Sequence, residues 1–189
     1  MERKVVLYDA CVLYPFYLRD FLVRLALTDL FQARWTDEIH DEWIRNLSAS
    51  EGIPIEQLTR TRRLMDGAVF DCLVTGYAER IPNLQLPDPD DRHILAAAIE
   101  SGAGVIVTNN LKDFPEMYLN QFGIEAIQPD EFILVHLEEE PDLVLRAMRQ
   151  QRAAYRDPIL CGEEFVVALE RCGLKETGKA MRNQYLDRL

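Results

Sequence analysis

A chain of 189 residues with 48% hydrophobic content is long enough to bury a real core, and it suits one domain, or one domain with a small annex. Its formal net charge of -11 sits awkwardly with nucleic-acid binding, because phosphate contacts draw on lysine and arginine. No apolar run approaches the roughly 20 residues that span a bilayer, and the start of the chain has no signal-peptide character, so a soluble cytoplasmic protein is expected and no membrane partner.

The acid excess lies early: residues 1–129 hold 20 acids against 12 bases, and residues 130–189 hold 12 against 9. Cys11, Cys72, Cys161 and Cys172 form no C-x-x-C pair, which argues against a zinc ribbon, a redox motif or a disulfide framework, and they are read as small buried residues. His40, His93 and His136 are dispersed, and a histidine-based metal site is not expected.

In chain order, residues 4–9 read as a short buried strand ending in Asp9. Pro15 opens a helix to about Leu30, followed by a brief strand around residues 33–35. Thr36 is the N-cap of a helix over TDEIHDEWIRNL, with Asp37 and Glu38 in the dipole-favoured first turn. SASEGIP, residues 48–54, reads as a loop, residues 55–72 as a helix, and residues 75–90 as a long surface connection. A helix then starts at Asp90 or Asp91 and stops near Gly102; the strand GVIVT follows at residues 104–108. A short helix near residues 115–121, a stop at Gly123 and the strand IEAI at 124–127 repeat that order. Strands alternating with helices predict an α/β fold with a parallel, helix-covered sheet over residues 1–129; residues 130–189 read as three or four helices, a carboxy-terminal annex.

Ligands of a parallel α/β sheet bind beyond the carboxyl ends of its strands. Asp9 ends the first strand and Asp113 lies five residues past Thr108, so both belong to one edge. Asp91 begins the helix that feeds the GVIVT strand, and Glu42 lies inside the helix after the second strand. Taken singly, Asp91 beside Asp90 is equally an ordinary helix N-terminus, Glu42 a solvated helix residue and Asp113 a turn residue. Asp9 is harder to set aside, because a carboxylate directly after a buried strand needs a partner or a cation.

VVLYDACVLYP, EIHDEWIRNL and LPDPDDRHILAAAIESGAGVIVTNNLKDFP, in that order, resemble the PIN-domain nucleases, in particular the VapC-type toxins of bacterial toxin–antitoxin pairs. The helical segment after Pro129 is similar to the carboxy-terminal extension of one branch of that family. The resemblance implies a PIN-like parallel sheet and a catalytic, metal-holding set of Asp9, Glu42, Asp91 and Asp113. It puts Asp88 and Asp90 just behind those ligands, and makes Thr108 and Asn110 the polar positions between the last strand and the last acid. One position departs from the pattern: Cys11 stands where many relatives carry an asparagine, and a thiol cannot make the same amide bonds. No nucleophilic role is assigned to Cys11, since clustered carboxylates raise a thiol's pKa.

Four carboxylates stay ionised together only with a cation among them, and oxygen-only ligation suits Mg²⁺ or Mn²⁺. The metal would orient and help deprotonate a water that attacks an RNA phosphodiester, and the net charge then has a use. Arg60, Arg62 and Arg63, with Arg92 and Lys112, are the candidates for RNA phosphate contacts; an ion-paired solvated face is the plainer reading of the arginine cluster. The resemblance further implies a small antitoxin partner and a homodimer. Haloacid-dehalogenase-type phosphatases also place an aspartate after their first strand, but need a second acid two residues on, where Cys11 stands. A housekeeping RNA-processing nuclease, and a silent PIN scaffold that binds RNA or protein, stay as alternatives.

Overall fold

The computed structural model describes residues 3–189; Met1 and Glu2, part of the amino-terminal stretch read as lacking a signal peptide, lie outside the described residues. Four short strands, β1 (Val5–Tyr8), β2 (Gln32–Arg34), β3 (Val105–Val107) and β4 (Glu125–Ile127), form one sheet in the order β2-β1-β3-β4. Every pairing is parallel, with Val6 opposite Ala33 on one side and Val105 on the other. The central strands carry near-continuous apolar runs because both faces are covered, as a parallel sheet requires. The expected α/β class is the observed one.

Helices fill the crossovers: α1 (Ala10–Leu13), α2 (Phe16–Ala26), α3 (Asp37–Glu51), α4 (Ile55–Ala68), α5 (Arg92–Ser101) and α6 (Glu116–Leu119). Thr36 caps α3 as expected, its hydroxyl accepting from Ile39 N at 3.0 Å. The expected loop at residues 48–54 begins too early: α3 continues through Ser48–Glu51 and ends only where Gly52 takes the left-handed φ of 67°. The helices predicted to reach residues 30 and 72 stop at Ala26 and Ala68. The connection at residues 75–90 is ordered, with a 3-10 segment at Tyr77–Asn83 and another, Pro89–Asp91, leading into α5.

Between α4 and that connection the chain makes one parallel bridge just past the end of β2: Trp35 N donates to Cys72 O and Val74 N to Trp35 O, both at 2.9 Å. A polar knot ties α4 to the same place. Asp66 Oδ1 accepts from Trp35 Nε1 and faces His40 Nε2, each at 2.9 Å, and Trp43 Nε1 donates to His40 Nδ1. His40 is fully buried, and burial holds its pKa below the usual range against the pull of Asp66.

After β4 come α7 (Pro129–Glu139), α8 (Pro141–Ala154), α9 (Gly162–Arg171) and α10 (Lys175–Ala180), then further helical turns to Arg188. Phe132, Ile133, Val144, Leu145, Phe165 and Leu169 belong to the same apolar cluster as the sheet. Phe31 meets Phe132 edge-on at 5.1 Å, and Gln151 Nε2 donates to Tyr17 O at 2.8 Å. Asp130 accepts from Glu176 N and Thr177 N at 2.8 and 2.9 Å, holding α10 against α7. Of the four cysteines only Cys72 is buried; Cys161 is exposed and caps α9, which departs from the expectation of small buried residues. No described helix is long and apolar enough to cross a membrane.

Candidate active site

Because the strands run parallel, their carboxyl ends share one edge, and the loops leaving it carry the acids. Asp9 follows β1 directly. Its backbone N–H donates to Val107 O at 3.1 Å, which seats it on the sheet, and it is 4% exposed. Oδ2 accepts from Thr108 Oγ1 at 2.6 Å and from Cys11 Sγ at 3.1 Å. Cys11 thus gives Asp9 one weak donor. Its own thiol is pushed up to about 12 by burial first and by Asp9 second, so it stays protonated.

A hydrogen-bonded chain joins this acid to the next. Asn110 N donates to Thr108 Oγ1 at 2.9 Å, and Asn110 Nδ2 donates to Asp91 Oδ2 at 3.0 Å. Asp91 sits at the turn into α5, and Asp113, 8% exposed, comes from the turn after β3. Asp88 holds that turn through Asp90 N at 2.9 Å, while Asp90 is exposed. One carboxylate oxygen from each of Asp88, Asp91 and Asp113 lies within 4.8 Å of the others. Asp88, expected behind Asp91 and Asp113, brings a carboxylate oxygen within that same distance of theirs.

The charges interact strongly. Asp91 is raised to about 7, by burial first and then by Asp9, Asp88, Asp113 and Glu42. Glu42, on α3, is raised by burial and then Asp9, while Arg45 pulls it down. Asp9 and Glu42 therefore stand outside the close oxygen trio but within its field. A trio of carboxylates with no sulfur or ring nitrogen suits a hard divalent cation.

Several neighbours escaped the sequence reading. His93, 7% exposed, has Nδ1 at 3.6 Å from Glu38 Oε2 and Nε2 at 3.8 Å from Glu42 Oε2. Burial keeps its pKa below the usual range despite Glu38, so the surroundings of the acids are not free of histidine. Glu38 lies one helical turn before Glu42, a spacing visible in sequence; its meeting with His93 and Tyr77 is tertiary. Arg45, three residues past Glu42, gave no signal beyond its charge.

The expected RNA contacts divide. Arg62 is spent on Asp37, Asp41 at 3.1 Å and Asp66 at 3.7 Å, which removes it from the phosphate-binding set. Arg60 and Arg63 are exposed and make no ion pair with the described residues. Arg92 keeps a buried Nε without a hydrogen-bond partner, and Lys112, largely exposed, reaches Asp113 Oδ2 at 3.5 Å.

Against known proteins, residues 5–112 match the family model described as PIN domain, and residues 129–183 match that described as VapC50 C-terminal domain. Over 79 residues the chain is 43% identical to a Mycobacterium tuberculosis protein named "Putative ribonuclease VapC50", a stretch covering 42% of this chain and 47% of that protein. The match thus spans about half the length of that relative. No solved structure matches the chain at a significant level.

Proposed function

The chain belongs to the PIN-domain family, and from that premise we propose that it is a divalent-metal-dependent endoribonuclease, the toxin of a toxin–antitoxin pair. The observation that carries this reading is the oxygen trio of Asp88, Asp91 and Asp113 beside the buried, doubly hydrogen-bonded Asp9. Asp91, Asp113, Asp9 and Glu42 are the proposed catalytic and metal-holding set, joined by Asp88. When bound there, Mg²⁺ or Mn²⁺ supplies a water of lowered pKa and offsets charge on the scissile phosphate.

The chain's own residues do the rest. Thr108 and Cys11 both bond Asp9 Oδ2, and no described group donates to Oδ1. Asn110 fixes the Asp91 carboxyl by donating to Oδ2, and because burial and the neighbouring acids raise this group to about 7, a cation held there would favour its ionised form. Lys112, Arg60 and Arg63 are the proposed phosphate contacts. The relative's printed name supports RNA as substrate, and the matched carboxy-terminal model supports reading residues 1–129 as nuclease domain and 130–189 as extension.

The test is cleavage of single-stranded RNA. It should require Mg²⁺ or Mn²⁺, stop in EDTA and vanish in Asp9→Asn and Asp113→Asn; undiminished cleavage in excess chelator would overturn the metal mechanism. For the toxin role, a small cytoplasmic partner should co-purify from the native host and suppress cleavage, with the nuclease a homodimer. Harmless expression without any such partner would favour a housekeeping nuclease.

A further inference from the structure

Beside Glu42 a cavity of about 240 Å³ opens between α1 and α3, lined by Ala10, Cys11, Tyr14, Glu42, Trp43 and Asn46. We infer that this cavity is the subsite for one nucleobase next to the scissile phosphate, read by the Asn46 amide and packed by the Tyr14 ring. The inference rests on the nuclease reading and deepens it.

Four features lead there. The volume is below the roughly 300–1,000 Å³ of clefts that take whole drug-sized ligands, so it is sized for a single ring system, with the sugar and phosphate outside in solvent. Its one charged lining group is the Glu42 carboxylate, which repels phosphate and tolerates a neutral base. Asn46 stands one helical turn beyond Glu42 on the same face of α3, placing the reader within a residue's reach of the proposed chemistry.

The fourth feature is elimination among the polar groups. Trp43 Nε1 is used by His40, and Cys11 Sγ is used by Asp9 and Asn109 N. The Tyr14 hydroxyl is held by Ser50 Oγ at 2.5 Å, which pins the ring at the cavity wall. Asn46 makes no hydrogen bond with any described residue, leaving a donor and an acceptor free. An unstacked base of single-stranded RNA, lying on an aromatic ring with its polar edge at an amide, fits both. Adenine, with adjacent donor and acceptor, matches an asparagine best.

The experiment is end-mapping on a random-sequence single-stranded RNA library with Mg²⁺, comparing wild type, Asn46→Asp, Asn46→Ala and Tyr14→Leu. Wild type should prefer adenine at one position beside the cut. Asn46→Asp, an acceptor only, should move that preference from adenine toward cytosine, by roughly five- to a hundredfold in relative cleavage. Asn46→Ala should flatten it, and Tyr14→Leu should raise KM more than it lowers kcat. Asn46 is exposed on a helix, so its variants fold, and their melting temperatures should equal that of wild type within a degree or two. Unchanged base preference in an active Asn46→Asp overturns the subsite alone, whereas a wild type that cleaves no RNA overturns the nuclease reading with it.

Discussion

At the residue scale the controlling quantity is repulsion among carboxylates. Two unit charges 4.8 Å apart at an effective dielectric near 20 repel by on the order of 3 kcal/mol before screening and protonation reduce it. Asp91 meets this by holding a proton up to about pH 7, whereas an unfolded aspartate releases it near 4. A raised acid pKa stabilises the fold below the unfolded value, and that stability is lost as pH rises through the folded value. Metal-free protein should therefore melt lower at pH 8 than at pH 5. Asp91→Asn should melt higher than wild type at pH 8 in EDTA and near it at pH 5, and millimolar Mg²⁺ should reverse the order at pH 8. Thermal melts across this grid decide the matter: a wild type indifferent to both pH and Mg²⁺ would make these acids structural. The sequence could propose Asp9 and Asp113 for one sheet edge because strand ends are legible there, whereas Asp91 joined them only through the family resemblance. It could not promote Asp88, because the 3-10 turn that folds PDPDD back on itself has no periodicity to read. Nor could it find His93, which enters the acids' surroundings through the meeting of α5 with α3.

At the element scale, capping and tertiary partners set what the sequence could and could not say. The start of α3 was legible in Thr36, because an N-cap is a local hydrogen bond. Its end was not, because SAS reads as a turn while the left-handed Gly52 actually stops the helix. The α3–α4 junction depends on Asp66, which serves Trp35 Nε1 and His40 Nε2 together. Asp66→Ala leaves both donors unpaired in a largely buried place, at about 1–3 kcal/mol for each orphaned group. The variant should lose that much unfolding free energy, read as a lower denaturant midpoint with an unchanged slope; a midpoint equal to wild type would mean that water replaces the carboxylate. The same junction engages Arg62, whose ion pairs agree with the plainer reading of the arginine cluster as an ion-paired solvated face, while Arg60 and Arg63 face solvent.

At the scale of the whole molecule, the carboxy-terminal helices were legible as helices, but their packing against α2 and one another within the common core was not. Phe132, Ile133, Val144, Leu145, Phe165 and Leu169 are each at most 5% exposed. Burying each such side chain is worth about 1.5–3 kcal/mol, so the six together are comparable to the roughly 5–15 kcal/mol that holds an ordinary domain folded. A fragment ending at residue 129 should show no cooperative thermal transition; a sharp one would make the extension an independent add-on. Asp9 and the Thr108 hydroxyl that holds it are 99 residues apart in the chain. During synthesis the first acid leaves the ribosome long before its holder exists, and pairing β1 with β3 waits on closing that long loop. The proposed site is therefore unassembled beside the ribosomal RNA for most of the chain's own translation. Because such contacts form late, Mg²⁺ should slow unfolding while leaving the refolding rate nearly unchanged in stopped-flow traces.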